Sequence, residues 1–218
     1  MTIKRQTVDE SKFNRNVVLP YNLRLDDVRM AMQDVYDFFY DVNSYLLKNH
    51  MQRLDDMLRP ANLSGTLSDM VTDALAKHSR TLTVNLHHNG HPDLIVKDRY
   101  PNDAVAAGED GIEVKSTKKR GGAVDTHGAR DQTLATFVYS VDNDRSKPAH
   151  IREPLTFREV YIATVRVADF RKNDRGELGT RTATLDAAGL ARFRESGLVY
   201  YDWPPRVSEK GSKGSWRG

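Results

Sequence analysis

The sequence predicts an α/β or α+β domain in which a central mixed β-sheet is flanked by helices and carries an N-terminal helical extension. Three observations predict it. Apolar residues before residue 79 recur at helical spacing, those from residue 82 onward recur with period two, and a short helical pattern precedes a last apolar run near the C-terminus. The chain has 218 residues, which is enough for one domain with its own core.

The first helix is predicted after Asp26 and Asp27, which offer an N-cap and negative charge at a helix start. Pro60 is predicted to close this helical segment. Its apolar stripe consists of Val28, Met32, Val35, Phe39, Val42 and Leu46. We interpret the stripe as a face that packs on the core. Its heptad-like spacing leaves a dimer contact along residues 27–57 as the alternative.

A second helix is predicted after Thr66, which can act as its N-cap. Its stripe consists of Leu67, Met70, Val71, Ala74, Leu75 and His78. Asp69 and Asp73 lie four residues apart on another face of this helix.

The strands begin where the hydrophobic period changes. Residues 82–86 alternate, a turn is predicted at residues 88–90, and residues 94–96 form a second strand antiparallel to the first. The third strand is predicted at residues 111–116. Later strands are predicted at residues 134–141, 160–167, 180–185 and 198–201, with a turn at 173–176 and a helix capped by Asp186.

This order divides the single domain into three regions. Residues 1–64 are predicted to be a helical region packed on the core, residues 65–202 to be the core itself, and residues 203–218 to be a basic, flexible tail.

Composition excludes several functional classes. The chain has no cysteine, so disulfide scaffolds, thiolate zinc sites and cysteine nucleophiles are ruled out. Its longest apolar runs are about four residues, whereas a membrane span needs about 20, and no secretory segment is visible. We therefore expect a cytoplasmic protein without a membrane partner. The net charge of +3 permits a nucleic-acid partner without requiring one.

The informative residues are two acids and a lysine on two predicted neighbouring strands. Asp93 follows a proline near the start of one strand, and Glu113 and Lys115 share a face of the next. Ile112 and Val114 would then point into the core. Two adjacent carboxylates repel each other unless a cation lies between them, and Mg²⁺ prefers such hard oxygen ligands. A site of this kind supports metal-assisted hydrolysis of a phosphodiester, with the ammonium of Lys115 beside the attacking water.

The pattern of Pro-Asp, nineteen intervening residues and Glu-x-Lys resembles the PD-(D/E)xK nuclease superfamily, which includes many type II restriction endonucleases. The resemblance covers residues 66 to about 141. It implies a restriction-endonuclease-like core, with Asp93, Glu113 and the Val114 carbonyl as ligands of Mg²⁺, for which Mn²⁺ can substitute. It also implies that Lys115 assists the water. Many members add an acid from the preceding helix, a role that Asp69 or Asp73 would fill.

A basic, glycine-containing stretch follows this pattern directly. Lys115 and residues 118–120 place four positive charges within six residues, and the glycines after them allow close approach to a phosphate. Arginine and glutamine can also read bases in the major groove. The candidate DNA-binding residues are Lys118, Lys119, Arg120, His127, Arg130 and Gln132. A solvated loop that contacts only phosphates is the alternative.

Other sites are weaker candidates. His87, His88 and His91 resemble a metal cluster, but consecutive residues on a strand face opposite ways and no cysteine completes a zinc site. No nucleophile-elbow motif, Walker A motif or dinucleotide fingerprint occurs in the sequence.

Taken with the resemblance, these observations predict a Mg²⁺-dependent endonuclease of double-stranded DNA, similar to a type II restriction enzyme. A homodimer is expected, because cutting both strands needs two sites. A restriction enzyme also implies a possible cognate methyltransferase. The alternatives are a structure-selective or repair nuclease of the same superfamily and a non-catalytic DNA-binding module.

Overall fold

The computed structural model describes residues 3–171 and 182–204. The helices are Leu25–Lys48 (α1), Leu54–Met57 (α2), Pro60–His78 (α3) and Ala187–Gly197 (α4). The strands are Leu82–Val84 (β1), Leu94–Val96 (β2), Gly111–Thr117 (β3), Asp125–His127 (β4), Gln132–Ser140 (β5), Thr156–Val165 (β6), Thr182–Thr184 (β7) and Leu198–Tyr201 (β8). Short 3₁₀ turns lie at Glu10–Lys12, Pro20–Asn22, Pro101–Asp103 and Val167–Asp169.

The centre of the fold is a six-stranded sheet in the order β1-β2-β3-β5-β6-β8. β3 and β5 are parallel, and the other neighbours are antiparallel. A parallel pair needs a crossover connection, and the chain between β3 and β5 carries the basic stretch and β4. The sheet is therefore mixed and flanked by helices, as the sequence predicted for an α+β domain.

Helices α1 and α3 cover one face of the sheet. The stripe predicted for the first helix is buried at Val28, Met32, Val35 and Phe39, and it packs in the same cluster as Ile112 and Val114 of β3. The interpretation of this stripe as a core face is confirmed. The sequence-defined regions 1–64 and 65–202 consequently share one hydrophobic core, and α3 crosses the boundary between them.

Two helix ends differ from the sequence prediction. Pro60 begins α3 instead of closing the first helical segment, because proline is well tolerated at the first helical position, where no N–H is needed. Thr66 therefore lies inside α3 and is not its N-cap. The segment predicted as one helix over residues 27–57 is divided into α1 and α2. Asp27 does serve the start of α1, since its carboxylate accepts a hydrogen bond from the backbone N–H of Arg24 at 2.9 Å.

The opposite face of the sheet is covered only in part. α4 packs against β6 and β8, and Asp186 caps it by accepting from the Gly189 N–H at 2.7 Å. β4 and β7 form a second, two-stranded sheet. β7 lies within the strand predicted at residues 180–185, whereas β4 and its pairing with β7 were not predicted. Ala183 of β7 and Phe193 of α4 belong to one hydrophobic cluster on this side of the central sheet. The predicted turn at residues 173–176 lies outside the described residues, as does most of the predicted tail. No helix in the described ranges is long and apolar enough to cross a membrane.

Candidate active site

The side chains of Asp93, Glu113 and Lys115 lie together on the face of the sheet opposite α1 and α3. β2 and β3 are antiparallel with Leu94 opposite Ile112, and the same register continued by one residue sets Asp93 opposite Glu113. Alternation along β3 then places Glu113 and Lys115 on one face and the buried Ile112 on the other.

A single ammonium group contacts both carboxylates. Lys115 Nζ lies 2.5 Å from Glu113 Oε1 and 3.7 Å from Asp93 Oδ2. The two acids are therefore on the same side of the sheet and close enough to share one cation.

The Asp93 carboxylate is held in place by the neighbouring strand. The backbone N–H of Val114 donates to Asp93 Oδ2 at 2.8 Å. The other oxygen, Oδ1, accepts no hydrogen bond from any described residue. This arrangement leaves one carboxylate oxygen of Asp93 available to a ligand.

The charges of the site shift each other's pKa values. Burial and the nearby negative charge of Glu113 raise the pKa of Asp93. Glu113 is only 3% exposed, and although burial alone would raise its pKa, the hydrogen bond from His91 and the charge of Lys115 lower it to about 2. Despite burial, the two acids raise the pKa of Lys115, which stays protonated at neutral pH.

His91 is a site residue to which the sequence analysis gave no role in the site. Its Nδ1 donates to Glu113 Oε2 at 2.7 Å. The only signal in the sequence was its position two residues before Asp93. His87 and His88 are exposed on the preceding turn, and the described residues contain no group of three or more histidine or acidic side chains arranged to hold a metal.

The donor set nevertheless suits a hard divalent cation. Asp93 and Glu113 converge on the position of one ammonium, and Asp93 Oδ1 has no described protein partner. The carbonyl of Val114, between Glu113 and Lys115 on β3, is the third oxygen that the sequence prediction assigned to the cation. Mg²⁺ is commonly bound by one or two carboxylates, with water and phosphate oxygens completing its shell.

The structure does not bring Asp69 or Asp73 to this site. Both are exposed, and Asp73 lines a groove between α1 and α3 together with Phe38. The face of α3 toward the site strand instead presents Ser68, whose Oγ accepts from the backbone N–H of Ser116 at 2.9 Å. The expected third acid is therefore missing from the helix positions that the sequence analysis named.

Comparison of the chain with protein-family models, curated proteins and solved structures finds no match. The resemblance to PD-(D/E)xK nucleases therefore depends on the site residues and their arrangement in the sheet.

The basic residues that follow β3, Lys118, Lys119 and Arg120, have different surroundings. Lys118 and Lys119 are exposed and form no ion pair with a described residue, and Lys118 Nζ lies 5.8 Å from the centre of the Tyr139 ring. Arg120 is used within the protein, because its guanidinium stacks 4.8 Å from the centre of the Trp203 ring and donates to the Tyr201 hydroxyl at 2.8 Å. Lys118 and Lys119 are thus the two charges of this turn that remain available to a phosphate.

A buried carboxylate anchors the same turn. Glu159, on β6, accepts from the backbone N–H of Gly121 and the indole of Trp203, both at 2.6 Å, and from the hydroxyl of Tyr161 at 3.1 Å. Burial and the adjacent Glu159 charge raise the pKa of Tyr161, which therefore stays a donor. Trp203, predicted as the first residue of a flexible tail, is fixed by this contact.

The remaining DNA-binding candidates are placed differently from one another. His127 lies exposed on β4, and Arg130 donates to its carbonyl at 2.5 Å. Gln132 begins β5 and is only 7% exposed, with its Nε2 buried and unpaired among the described residues. Strand pairing buries most of the Gln132 side chain in this conformation, and the DNA contact expected of Gln132 stays a prediction.

Proposed function

We propose that this protein is a Mg²⁺-dependent endonuclease that hydrolyses phosphodiester bonds in DNA, built on a restriction-endonuclease-like core. The observation that carries the proposal is the convergence of Asp93 and Glu113 on one ammonium of Lys115. Two acids and a lysine on adjacent chain segments, of which Asp93 and Lys115 are partly exposed, provide the charges that such hydrolysis needs.

The reaction would join a water oxygen to phosphorus while one P–O ester bond breaks, with the water proton passing to solvent and the leaving oxygen taking a proton from solvent. Bound Mg²⁺, or Mn²⁺ in its place, would supply charge stabilisation at the phosphoryl and leaving oxygens. Asp93 Oδ1 and Glu113 Oε1 would hold the cation, together with the Val114 carbonyl. Lys115, kept protonated by its two acidic neighbours, would donate a hydrogen bond that orients the water and stabilises the developing negative charge. It would not act as a base.

Lys118 and Lys119 would contact the DNA backbone. They directly follow β3, the strand that carries Glu113 and Lys115. The turn that carries them is fixed by the contact between the Gly121 N–H and Glu159. Phosphate contacts of this kind position a protein on DNA without reading sequence. His127 and Arg130 remain the candidates for base contacts at the periphery, whereas Arg120 is engaged by Trp203 and Tyr201.

The finer assignment is a type II restriction enzyme acting on double-stranded DNA as a cytoplasmic homodimer, with a methyltransferase as its possible partner. A two-fold dimer would place one site on each strand. The burial of Gln132 favours the second candidate, a structure-selective or repair nuclease, because it removes one of the expected base-reading side chains.

The decisive experiment is digestion of long unmodified DNA by the purified protein with Mg²⁺. EDTA should abolish cleavage. Asp93→Asn should reduce it by at least about 100-fold while DNA binding persists, and Asp41→Asn, which neutralises an exposed acid on α1, should leave it unchanged. Cleavage that survives Asp93→Asn would contradict the proposal. Discrete fragments would support a recognition sequence, and a smear or a preference for branched DNA would support the second candidate.

A further inference from the structure

His91 is tied to one oxygen of Glu113, and Lys115 is tied to the other. His91 Nδ1 lies 2.7 Å from Oε2, and Lys115 Nζ lies 2.5 Å from Oε1. The two oxygens are therefore distinguished by their partners. Oε2 is occupied by the imidazole, and Oε1 is the oxygen that shares the Lys115 ammonium with Asp93.

The backbone of His91 is held by the chain segment that precedes β3. We call residues 104–108 the strap. The backbone N–H of His91 donates to Ala106 O at 3.1 Å, and the N–H of Gly108 donates to His91 O at 2.7 Å. Both backbone polar groups of His91, its N–H and its C=O, are therefore hydrogen-bonded to the strap.

The strap is in turn fixed by a partly buried network of hydrogen bonds around the Asn85 side-chain amide. Asn85 Nδ2 donates to Pro92 O at 3.0 Å and to Val105 O at 2.9 Å, and its Oδ1 accepts from the Val105 N–H at 3.0 Å. Gly90 permits this approach, since a Cβ there would lie 2.5 Å from both Asn85 Nδ2 and Val105 O. The end of β1, the strap and the Pro-Asp turn thus form one rigid unit around His91.

We propose that His91 is a positioning residue of the active site, which holds the Glu113 carboxylate so that only Oε1 is presented to the divalent cation. The inference rests on the proposed function of the site as a cation-binding centre. Hydrogen-bonded partners of ligating side chains commonly set ligand orientation, and their loss costs about 10- to 100-fold in metal affinity or activity. A role in fold stability alone would not alter affinity for a cation.

The test compares three variants with the wild type. His91→Ala removes the donor, and His91→Asn keeps an N–H near the position of Nδ1. His87→Ala removes an exposed imidazole from the preceding turn and serves as the matched control. Mn²⁺ affinity is measured on the protein without DNA by water-proton relaxation, kcat and KM are measured for DNA cleavage, and thermal unfolding is recorded for each variant.

We expect His91→Ala to weaken Mn²⁺ binding by about 10- to 100-fold and to lower kcat with little change in KM. His91→Asn should recover most of both losses, and His87→Ala should behave as the wild type. A folded His91→Ala protein with wild-type Mn²⁺ affinity would overturn the inference, as would a His91→Asn variant no better than the alanine variant.

A second measurement does not depend on the variants being folded. The wild-type protein is titrated with Mg²⁺ while the NMR signals of the histidine ring nitrogens are recorded. The signals of His91 should shift, and those of His87 should stay in place. Unmoved His91 signals would overturn the inference. If Mn²⁺ binding depends on His91 and no DNA is cleaved, the proposed function fails while the positioning role stands.

Discussion

The backbone N–H of Val114 donates to Asp93 Oδ2 across 2.8 Å, which fastens the first acid of the site to the strand that carries the other two charged groups. The bond occupies Asp93 Oδ2 and leaves Oδ1 without a hydrogen-bond partner among the described residues. Because Val114 lies between Glu113 and Lys115, the contact fixes the spacing of all three side chains through the backbone of β3. β3 thereby also positions Asp93, which directly precedes the neighbouring strand β2.

Removal of the Lys115 ammonium should separate cation binding from cleavage. In Lys115→Gln the two carboxylates lose the positive charge that now lies between them, so we expect Mn²⁺ affinity to rise or stay constant. Cleavage should fall by about 100-fold or more, because the group that stabilises developing charge is lost. Lys77→Gln, on the helical face and paired with Asp34, is the control. Parallel loss of Mn²⁺ binding and cleavage would argue against the assigned role.

Opposite pKa shifts predict opposite stability effects for the two acids. Burial and Glu113 raise the pKa of Asp93 above 3.8, so its ionisation destabilises the fold as pH rises through the folded-state value. The pKa of Glu113 is lowered from 4.5 to about 2, so its ionised form stabilises the fold above pH 4.5, and this contribution is lost as pH falls toward 2.

Near pH 7 we therefore expect Asp93→Asn to raise the free energy of unfolding and Glu113→Gln to lower it, the latter by at most about 3 kcal/mol. Urea unfolding followed by circular dichroism measures both. Two changes of the same sign would contradict the electrostatic description of the site.

The two available lysines of the basic turn should govern the salt dependence of DNA binding. We expect Lys118→Ala/Lys119→Ala to weaken binding and to reduce the slope of log K against log salt by about 2, because each phosphate contact releases about one counterion. The double variant Lys48→Ala/Lys77→Ala removes two lysines from the helical side and should leave the slope unchanged. Fluorescence anisotropy with labelled duplex DNA, in Ca²⁺ to prevent cleavage, provides the measurement.

The buried Glu159 should be a stability determinant of the turn. Glu159→Ala leaves three donors without their acceptor, and we expect it to lower the free energy of unfolding by about 3 kcal/mol. Glu153→Ala removes an exposed acid that pairs with Lys4 and should cost under about 0.5 kcal/mol. Faster amide exchange at Gly121 in the Glu159 variant is expected as well. Equal effects of the two substitutions would show that burial of this acid is unimportant.

Short-range sequence patterns were sufficient to predict the strands that carry the site. Alternation fixed the faces of β3, since Ile112 and Val114 are apolar and Glu113 and Lys115 are charged. The antiparallel pairing of β1 and β2 follows from two short apolar runs separated by a turn, and the register of β2 and β3 then sets Asp93 beside Glu113.

The features that escaped prediction depend on contacts between distant segments. His91 reaches its place through the strap, which the chain enters only about a dozen residues later. Gln132 is buried by strand pairing that its polar neighbours do not reveal. β4 pairs with β7 far along the chain, and Pro60 has the same local signature at a helix start as after a helix end.

One contact joins the two extremities of the described fold. The backbone N–H of Asn14 donates to Val199 O at 2.9 Å, and Phe13 stacks edge-on against Tyr200. The segment before α1 is therefore held at residues 13 and 14 by β8, in addition to its contacts with α1 such as that between the Val8 N–H and Gln33 Oε1 at 3.1 Å. Because β8 is an edge strand of the six-stranded sheet, this bond covers part of that edge with a segment that lies before the first helix, so the two ends of the described fold depend on each other.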